Sequence, residues 1–409
     1  MGRVDAHTIH DQFKAVLSSH LIEEEDSAFI LYDFNVLDQR IQEVNSCFGD
    51  HAKHTVAVKS NPLLKVLEWI GNMGHGMECA SFEEVLLAQK AGASFIAWDS
   101  PAKTKSEIKH SNEVEGLLIN ADSLKELRSI IELNDRAEIA LRINPQSETD
   151  SHASMTVSGQ YSKFGEPISN RTPIIEAIIE AEDRVTGLHV HSSSQTARFE
   201  KMSEAIRRVI DLALDINSKR PGTIEFIDIG GGFPTAYTDQ ENYDIKAYAN
   251  LLRKLCPELF DGTFRMVTEF GRYYHANAGW TASRMHDVKS FDGHQVVILH
   301  VGADLFLREA YNPGIWHHDM IVVGAEDHPK LTTDVGGPLC FGGDYIAKGI
   351  ELPKAQADSW MIIRDTGANS FSLWSRHCSR SFPKVIGFQN KPVLLKARES
   401  FDDIASFWS

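Results

Sequence analysis

A lysine, a histidine, two glutamates and a run of three glycines stand at or near the ends of short apolar runs in this chain. Lys59 closes Val56-Ala57-Val58-Lys59, Glu78 closes Gly76-Met77-Glu78, His189 lies in Leu188–His191, and Glu269 closes Met266–Glu269. The run Phe226–Ile229 leads directly into Gly230-Gly231-Gly232. A lysine at the end of an apolar strand carries a charge that is costly unless it is used or paired. Glycines after a strand expose backbone N–H groups that can hold a phosphate. A rim carboxylate can keep a heteroaromatic nitrogen protonated. Each feature alone has an ordinary explanation: a snorkelling lysine, a tight turn, a salt-bridge carboxylate, a satisfied core histidine. Their combination carries the weight.

Eight apolar runs of this kind are separated by helical segments. The remaining ones are Phe95–Trp98, Leu117–Asn120 and Ile139–Arg142. The pattern predicts a parallel (β/α)8 barrel over residues 33–279, a fold whose catalytic groups cluster at strand C-termini. A lysine, a histidine, a carboxylate and an anion cradle on one rim suggest pyridoxal phosphate, which needs a lysine for its aldehyde and a partner for its ring nitrogen. The helices are signalled too. Ser81-Phe-Glu-Glu84 reads as a capping box opening a helix that ends near Gly92, and Asp122 and Ser123 can cap the helix carrying Leu124 and Leu127. Met202, Ala205, Ile206, Val209, Ala213 and Ile216 follow helical spacing. After residue 280 the pattern changes to strands: His294–Val301, Met320–Val323, Trp360–Ile363 and Val385–Phe388. Residues 280–409 are therefore expected to form a β-sandwich or β-barrel domain. The strand-like Ala28–Tyr32 could pair into the barrel, but the domain division places residues 1–32 with the β domain, which they complete.

Composition narrows the class. A chain of 409 residues favours two domains. A net charge of −16 argues against nucleic acid or an anionic membrane as partner. No apolar run approaches the ~20 residues of a membrane span, and the first residues show no signal core or myristoylation pattern. The cysteines at 47, 79, 256, 340 and 378 lack Cys-x-x-Cys spacing, which points to a reducing, cytoplasmic location and no metal site.

Ala57-Val-Lys-Ser-Asn-Pro62 resembles the lysine motif of the ornithine/diaminopimelate/arginine decarboxylases of the alanine-racemase-like fold. The resemblance continues through Ser162-Lys-Phe-Gly165, His189-Val-His-Ser192, Gly230-Gly-Gly-Phe-Pro234, Glu269-Phe-Gly-Arg272, Gly337-Pro-Leu-Cys340 and Asp365-Thr-Gly-Ala368. It implies that Lys59 carries the cofactor, Glu269 bonds its ring nitrogen, His189 stacks on the ring and Glu78 lies near the ring hydroxyl. Ser192, Gly230 to Gly232 and Arg272 would hold the phosphate. The same resemblance implies a homodimer with shared sites. Cys340 from one subunit would return a proton to Cα after CO2 leaves, and Lys163 would meet Asp344 across the interface.

The chain departs from the family pattern at four places. Phe341 replaces an acid that reads a distal amine, Asn369 replaces a tyrosine serving phosphate or substrate, His191 replaces a glycine, and Phe270 replaces a proline. Arg308, before Glu309-Ala-Tyr311, resembles an arginine that meets a distal carboxylate. Arg376 and Arg380 could add positive charge near the same pocket, with Tyr311 and Phe341 also lining it. The expected activity is decarboxylation of an amino acid with an additional carboxylate, a carboxylated diamino-acid conjugate of the siderophore type. The alternatives are diaminopimelate decarboxylation, an amino-acid racemase, and a catalytically inert decarboxylase-like regulator.

Overall fold

The computed structural model describes residues 2–49, 52–147 and 158–409. The chain divides into two compact units, one of Ile41–Pro234 with Tyr243–Tyr273, the other of Met1–Arg40, Thr235–Asn242 and Tyr274–Ser409.

The first unit is the barrel. Its parallel strands are β1 (Ala52–Ala57), β2 (Gly76–Cys79), β3 (Ile96–Asp99), β4 (Leu117–Ala121), β5 (Glu138–Asn144), β6 (Gly187–His189), β7 (Phe226–Asp228) and β8 (Arg265–Phe270). Each pairs with the next, and β8 closes the ring on β1 with Glu269 opposite Thr55. These strands are buried on both faces, so their sequences read as unbroken apolar runs rather than alternations.

Side chains two residues apart share a face of a strand, and this period sorts the barrel interior into layers. Phe95, Ala97, Leu118, Ala140, Phe226 and Val267 form one buried apolar cluster. Two residues beyond the last five of these, on β3, β4, β5, β7 and β8, stand Asp99, Asn120, Arg142, Asp228 and Glu269. On β6 the pair is Gly187 and His189. A Cβ on Gly187 would lie 2.1 Å from Phe226 Cζ, so the Phe226 ring fills the place of a side chain there. The barrel thus has an apolar floor and a polar upper layer.

The expected helices form around it, with one difference. Ser81 Oγ accepts the Glu84 N–H at 3.2 Å, but the Glu84 carboxylate takes the N–H of Ala80 at 2.6 Å rather than that of Ser81. Ala80 directly follows the end of β2, where its N–H needs an acceptor. Ser123 alone caps Leu124–Leu133, because Asp122 Oδ1 accepts from Gly165 N instead. Helix Phe199–Lys219 buries Met202, Ala205, Ile206, Val209, Ala213 and Ile216.

The second unit is built on a nine-stranded mixed sheet. Its path runs Tyr345–Pro353, Lys330–Gly336, His294–Leu299, Gly279–Ser290, Ala28–Asp33, Lys384–Phe388, Pro392–Lys396. Met320–Val322 pairs with Trp360–Ile363, which joins Gly279–Ser290. The N-terminal strand therefore enters this sheet, not the barrel. Helix Ala6–Ser18 packs Ile9, Phe13 and Val16 onto Phe29, Leu31, Trp280 and Trp360.

Candidate active site

Lys59, expected at a strand end, lies one step later, in the 3-10 turn Val58–Ser60 that follows β1. Ser60 Oγ donates to Ala57 O at 2.5 Å and Asn61 N to Val58 O at 2.9 Å, which turns the chain out of the strand. Lys59 Nζ donates to both oxygens of Glu78, at 2.6 Å to Oε1. Glu78 is fully buried, whereas the lysine side chain keeps 46% exposure at the barrel rim.

Behind this pair the polar layer is continuous. His189 Nε2 lies 3.4 Å from Glu269 Oε2, and its Nδ1 lies 3.7 Å from Asp99 Oδ1. Arg142 Nη1 reaches both oxygens of Asp99, at 3.1 and 3.0 Å. Asn120 Nδ2 bridges Asp228 Oδ2 at 3.4 Å and Glu269 Oε1 at 3.5 Å. Sequence reasoning missed Asp99, Asn120, Arg142 and Asp228. The signal was present: each stands two residues after an apolar inward residue, the spacing that also places Glu269.

Acids dominate this layer. Glu78, Asp99, Asp228 and Glu269 face Lys59, Arg142 and His189. Burial pushes Glu78 up to about 8, and Glu269 and Asp99 add to this against the pull of Lys59. Burial alone would lower Lys59, but Glu78, Glu269 and Asp99 raise it above the ordinary lysine value. His189 is raised to about 9, because Glu269, Asp99 and Asp228 overcome its burial. Burial would raise Glu269, yet His189 and Lys59 hold it well below the usual carboxylate range.

The glycine turn is as close-packed as an anion cradle requires. A Cβ would lie 2.6 Å from Val190 O at Gly230, 2.5 Å from Glu269 O at Gly231 and 2.1 Å from Ser193 O at Gly232. Gly230 and Gly232 have φ of +67° and +97°, which side chains rarely adopt. Two of the three amides already have acceptors, however. Gly230 N donates to Asp228 Oδ1 at 2.9 Å and Gly231 N to His191 Nδ1 at 3.2 Å. Ser192 is buried, and Arg272 opens the short helix Arg272–His275, separated from β8 by one residue.

The barrel residues fit pyridoxal phosphate. Glu269 Oε2 and both His189 ring nitrogens are buried without a hydrogen-bond partner among the described residues. A protonated ring nitrogen is the donor that Glu269 Oε2 lacks, and a carboxylate held well below its usual range stays anionic beside it. Lys163, also in this unit, is exposed, with Nζ 4.8 Å from the Phe164 ring centroid.

The other expected residues belong to the β unit. Arg308 is buried over the Trp316 ring at 3.9 Å, and no nitrogen of its guanidinium has a hydrogen-bond partner among the described residues. Tyr311, Cys340 and Phe341 are exposed. Asp344 is buried and accepts from Ala303 N and Leu339 N, each at 2.6 Å. Asn369 has φ of +52°. Arg376 pairs with Glu399 at 2.6 Å and covers the Phe407 ring, while Arg380 donates to His300 O at 3.2 Å.

Comparison with known proteins accords with this chemistry. Residues 35–276 match the family model described as pyridoxal-dependent decarboxylase, pyridoxal binding domain. The chain is 30% identical over 404 residues to the diaminopimelate decarboxylase of Deinococcus radiodurans, covering 95% of this chain and 98% of that one. It is 29% identical over 394 residues to that of Campylobacter jejuni, covering 94% and 96%. The structure of diaminopimelate decarboxylase from Helicobacter pylori complexed with L-lysine superposes with a TM-score of 0.86 over 97% of this chain and 99% of that one, at 24% identity, and establishes the shared fold. The chain therefore belongs to the pyridoxal-dependent decarboxylase family and is an amino-acid carboxy-lyase that uses pyridoxal phosphate.

Proposed function

We propose that the chain decarboxylates an amino acid bearing a second, distal carboxylate, and that diaminopimelate is the substrate its relatives favour. The observation that carries this reading is Arg308. A buried guanidinium with no hydrogen-bonded partner is costly, and a carboxylate is its natural bidentate complement. Phe341, next to Cys340, supports a second reading in which the distal carboxylate belongs to a bulkier conjugate of a diamino acid, as in siderophore assembly. A phenyl ring there offers nothing to a distal ammonium.

In the barrel, Lys59 would hold the cofactor's aldehyde carbon and Glu269 its ring nitrogen, and His189 and Glu78 would complete the ring site. Gly232 N, Ser192 and Arg272 hold the phosphate. The bound cofactor supplies an electron sink for the pair left at Cα when CO2 departs. Glu269 keeps the ring nitrogen protonated because its own proton affinity is so low. The proton that returns to Cα comes from Cys340, acting as general acid. We assign Cys340 to the partner subunit of a homodimer, with Lys163 and Asp344 at the interface and Asn369 contacting the cofactor.

The test is a substrate series. Substrates with a distal carboxylate should exceed lysine and ornithine by at least ~100-fold in kcat/KM, or roughly 2.7 kcal/mol. Arg308→Ala should remove most of that preference and leave cofactor absorbance intact. Lysine or ornithine as best substrate would refute the reading.

A further inference from the structure

His191 departs from the resembled His-Val-Gly-Ser motif, and no step of the proposed reaction uses it. Its Nδ1 accepts the Gly231 N–H at 3.2 Å and lies 3.9 Å from Glu269 Oε2. A ring nitrogen that accepts carries no hydrogen, so the neutral imidazole is protonated on Nε2. The ring also abuts the glycine run: a Cβ on Gly231 would lie 3.4 Å from His191 Cε1, and one on Gly230 would lie 3.0 Å from His191 Cβ. With Gly230 N held by Asp228, Gly232 N is the amide of the run without an acceptor among the described residues.

We propose that His191 is a positioning residue that withholds the Gly231 N–H from the cofactor phosphate, so that the strength of the cradle follows the protonation of this one imidazole. The inference rests on the reading of the glycine turn as the phosphate site. A proton arriving on Nδ1 would set two donors face to face, because Gly231 N–H already points there. The contact breaks, the new N–H turns to the Glu269 carboxylate, and Gly231 N is freed for the phosphate. Charged groups from several elements bear on this equilibrium. Glu269 on β8 favours the imidazolium, while Arg142 on β5 and Lys59 after β1 oppose it. Burial leads these effects and lowers His191 below the ordinary histidine value. The withholding form therefore prevails at neutral pH, and the released form grows as the medium becomes acidic.

The experiment uses the full chain stripped of cofactor and measures dissociation constants for pyridoxal phosphate and for pyridoxal, which lacks the phosphate. Their ratio isolates the phosphate contribution. The phosphate's own titration is common to all proteins compared and cancels between them. His191→Ala should strengthen the phosphate contribution about three- to tenfold, the effect of one freed hydrogen bond. His191→Asn, whose Oδ1 can accept the same N–H without titrating, should keep the wild-type value and lose its pH response. The wild-type ratio should climb toward that of His191→Ala on acidification. Nitrogen-15 NMR of the cofactor-free wild type should place the His191 hydrogen on Nε2 at neutral pH. A hydrogen on Nδ1, or a His191→Ala ratio no higher than wild type, overturns the inference. If wild type binds pyridoxal as tightly as pyridoxal phosphate, the phosphate site itself is misassigned. A clear wild-type preference that His191→Ala leaves unchanged rejects the role of His191 alone.

Discussion

His189 is charged because Glu269, Asp99 and Asp228 outweigh its burial, and that balance can be tilted. In the cofactor-free protein it should titrate at about 9, and Glu269→Gln should bring it down, because removing the leading carboxylate lets desolvation act. Proton NMR of the imidazole reads this directly. The shift has a consequence for stability. A histidine raised from 6.5 to about 9 contributes stability that is fully present below 6.5 and is lost as pH rises through 9. Denaturant unfolding of cofactor-free wild type should therefore weaken across that window, and the decline should be smaller in Glu269→Gln. An undiminished decline in the variant would remove Glu269 as its cause. The same balance explains why half the polar layer was hard to read in the sequence. Lys59, His189 and Glu269 were found by chemical type, whereas Asp99, Asn120, Arg142 and Asp228 are types common on any surface. Only their spacing from Ala97, Leu118, Ala140 and Phe226 marks them as inward.

At the scale of elements, legibility followed burial. The eight barrel strands are covered on both faces, so each left a run of apolar residues that no surface segment imitates. The β unit was read only in part. In Lys330–Gly336 and Tyr345–Pro353, Thr, Asp, Lys and Glu interrupt the apolar signal, and neither these two strands nor the short Pro392–Lys396 were anticipated. Gly187 shows how a strand can be specified by an absence. Gly187→Ala would drive a methyl group into the Phe226 ring. Overpacking of this kind costs about 1–3 kcal/mol, visible as a lower unfolding midpoint. Phe226→Leu in the same chain should recover part of the loss, and a fully additive double mutant would show that the two residues do not share that space.

At the scale of the whole molecule, no helix among the described residues is long and apolar enough to cross a membrane, and the net charge of −16 opposes binding to polyanions. The proposed sharing of sites between subunits makes a prediction that neither unit makes alone. Lys59→Ala and Cys340→Ala chains should each be inactive. In a random one-to-one mixture half the dimers are mixed, and each of these has one site with both residues intact. Activity should return to at most about a quarter of wild type. No return despite demonstrated subunit exchange would place Lys59 and Cys340 of the same chain in one site.

The Phe226 ring beneath Gly187, together with Phe95, Leu118 and Val267, makes the barrel a cup rather than a tube. A cup has a single mouth. At the proposed site the incoming amino acid, the departing CO2 and the amine product would all pass the same lip, and none could leave through the floor while another enters. Traffic is therefore sequential, and the amine product stands in the path of the next substrate molecule. Accumulated amine should slow the enzyme by competing for entry, and raising the amino-acid concentration should relieve it.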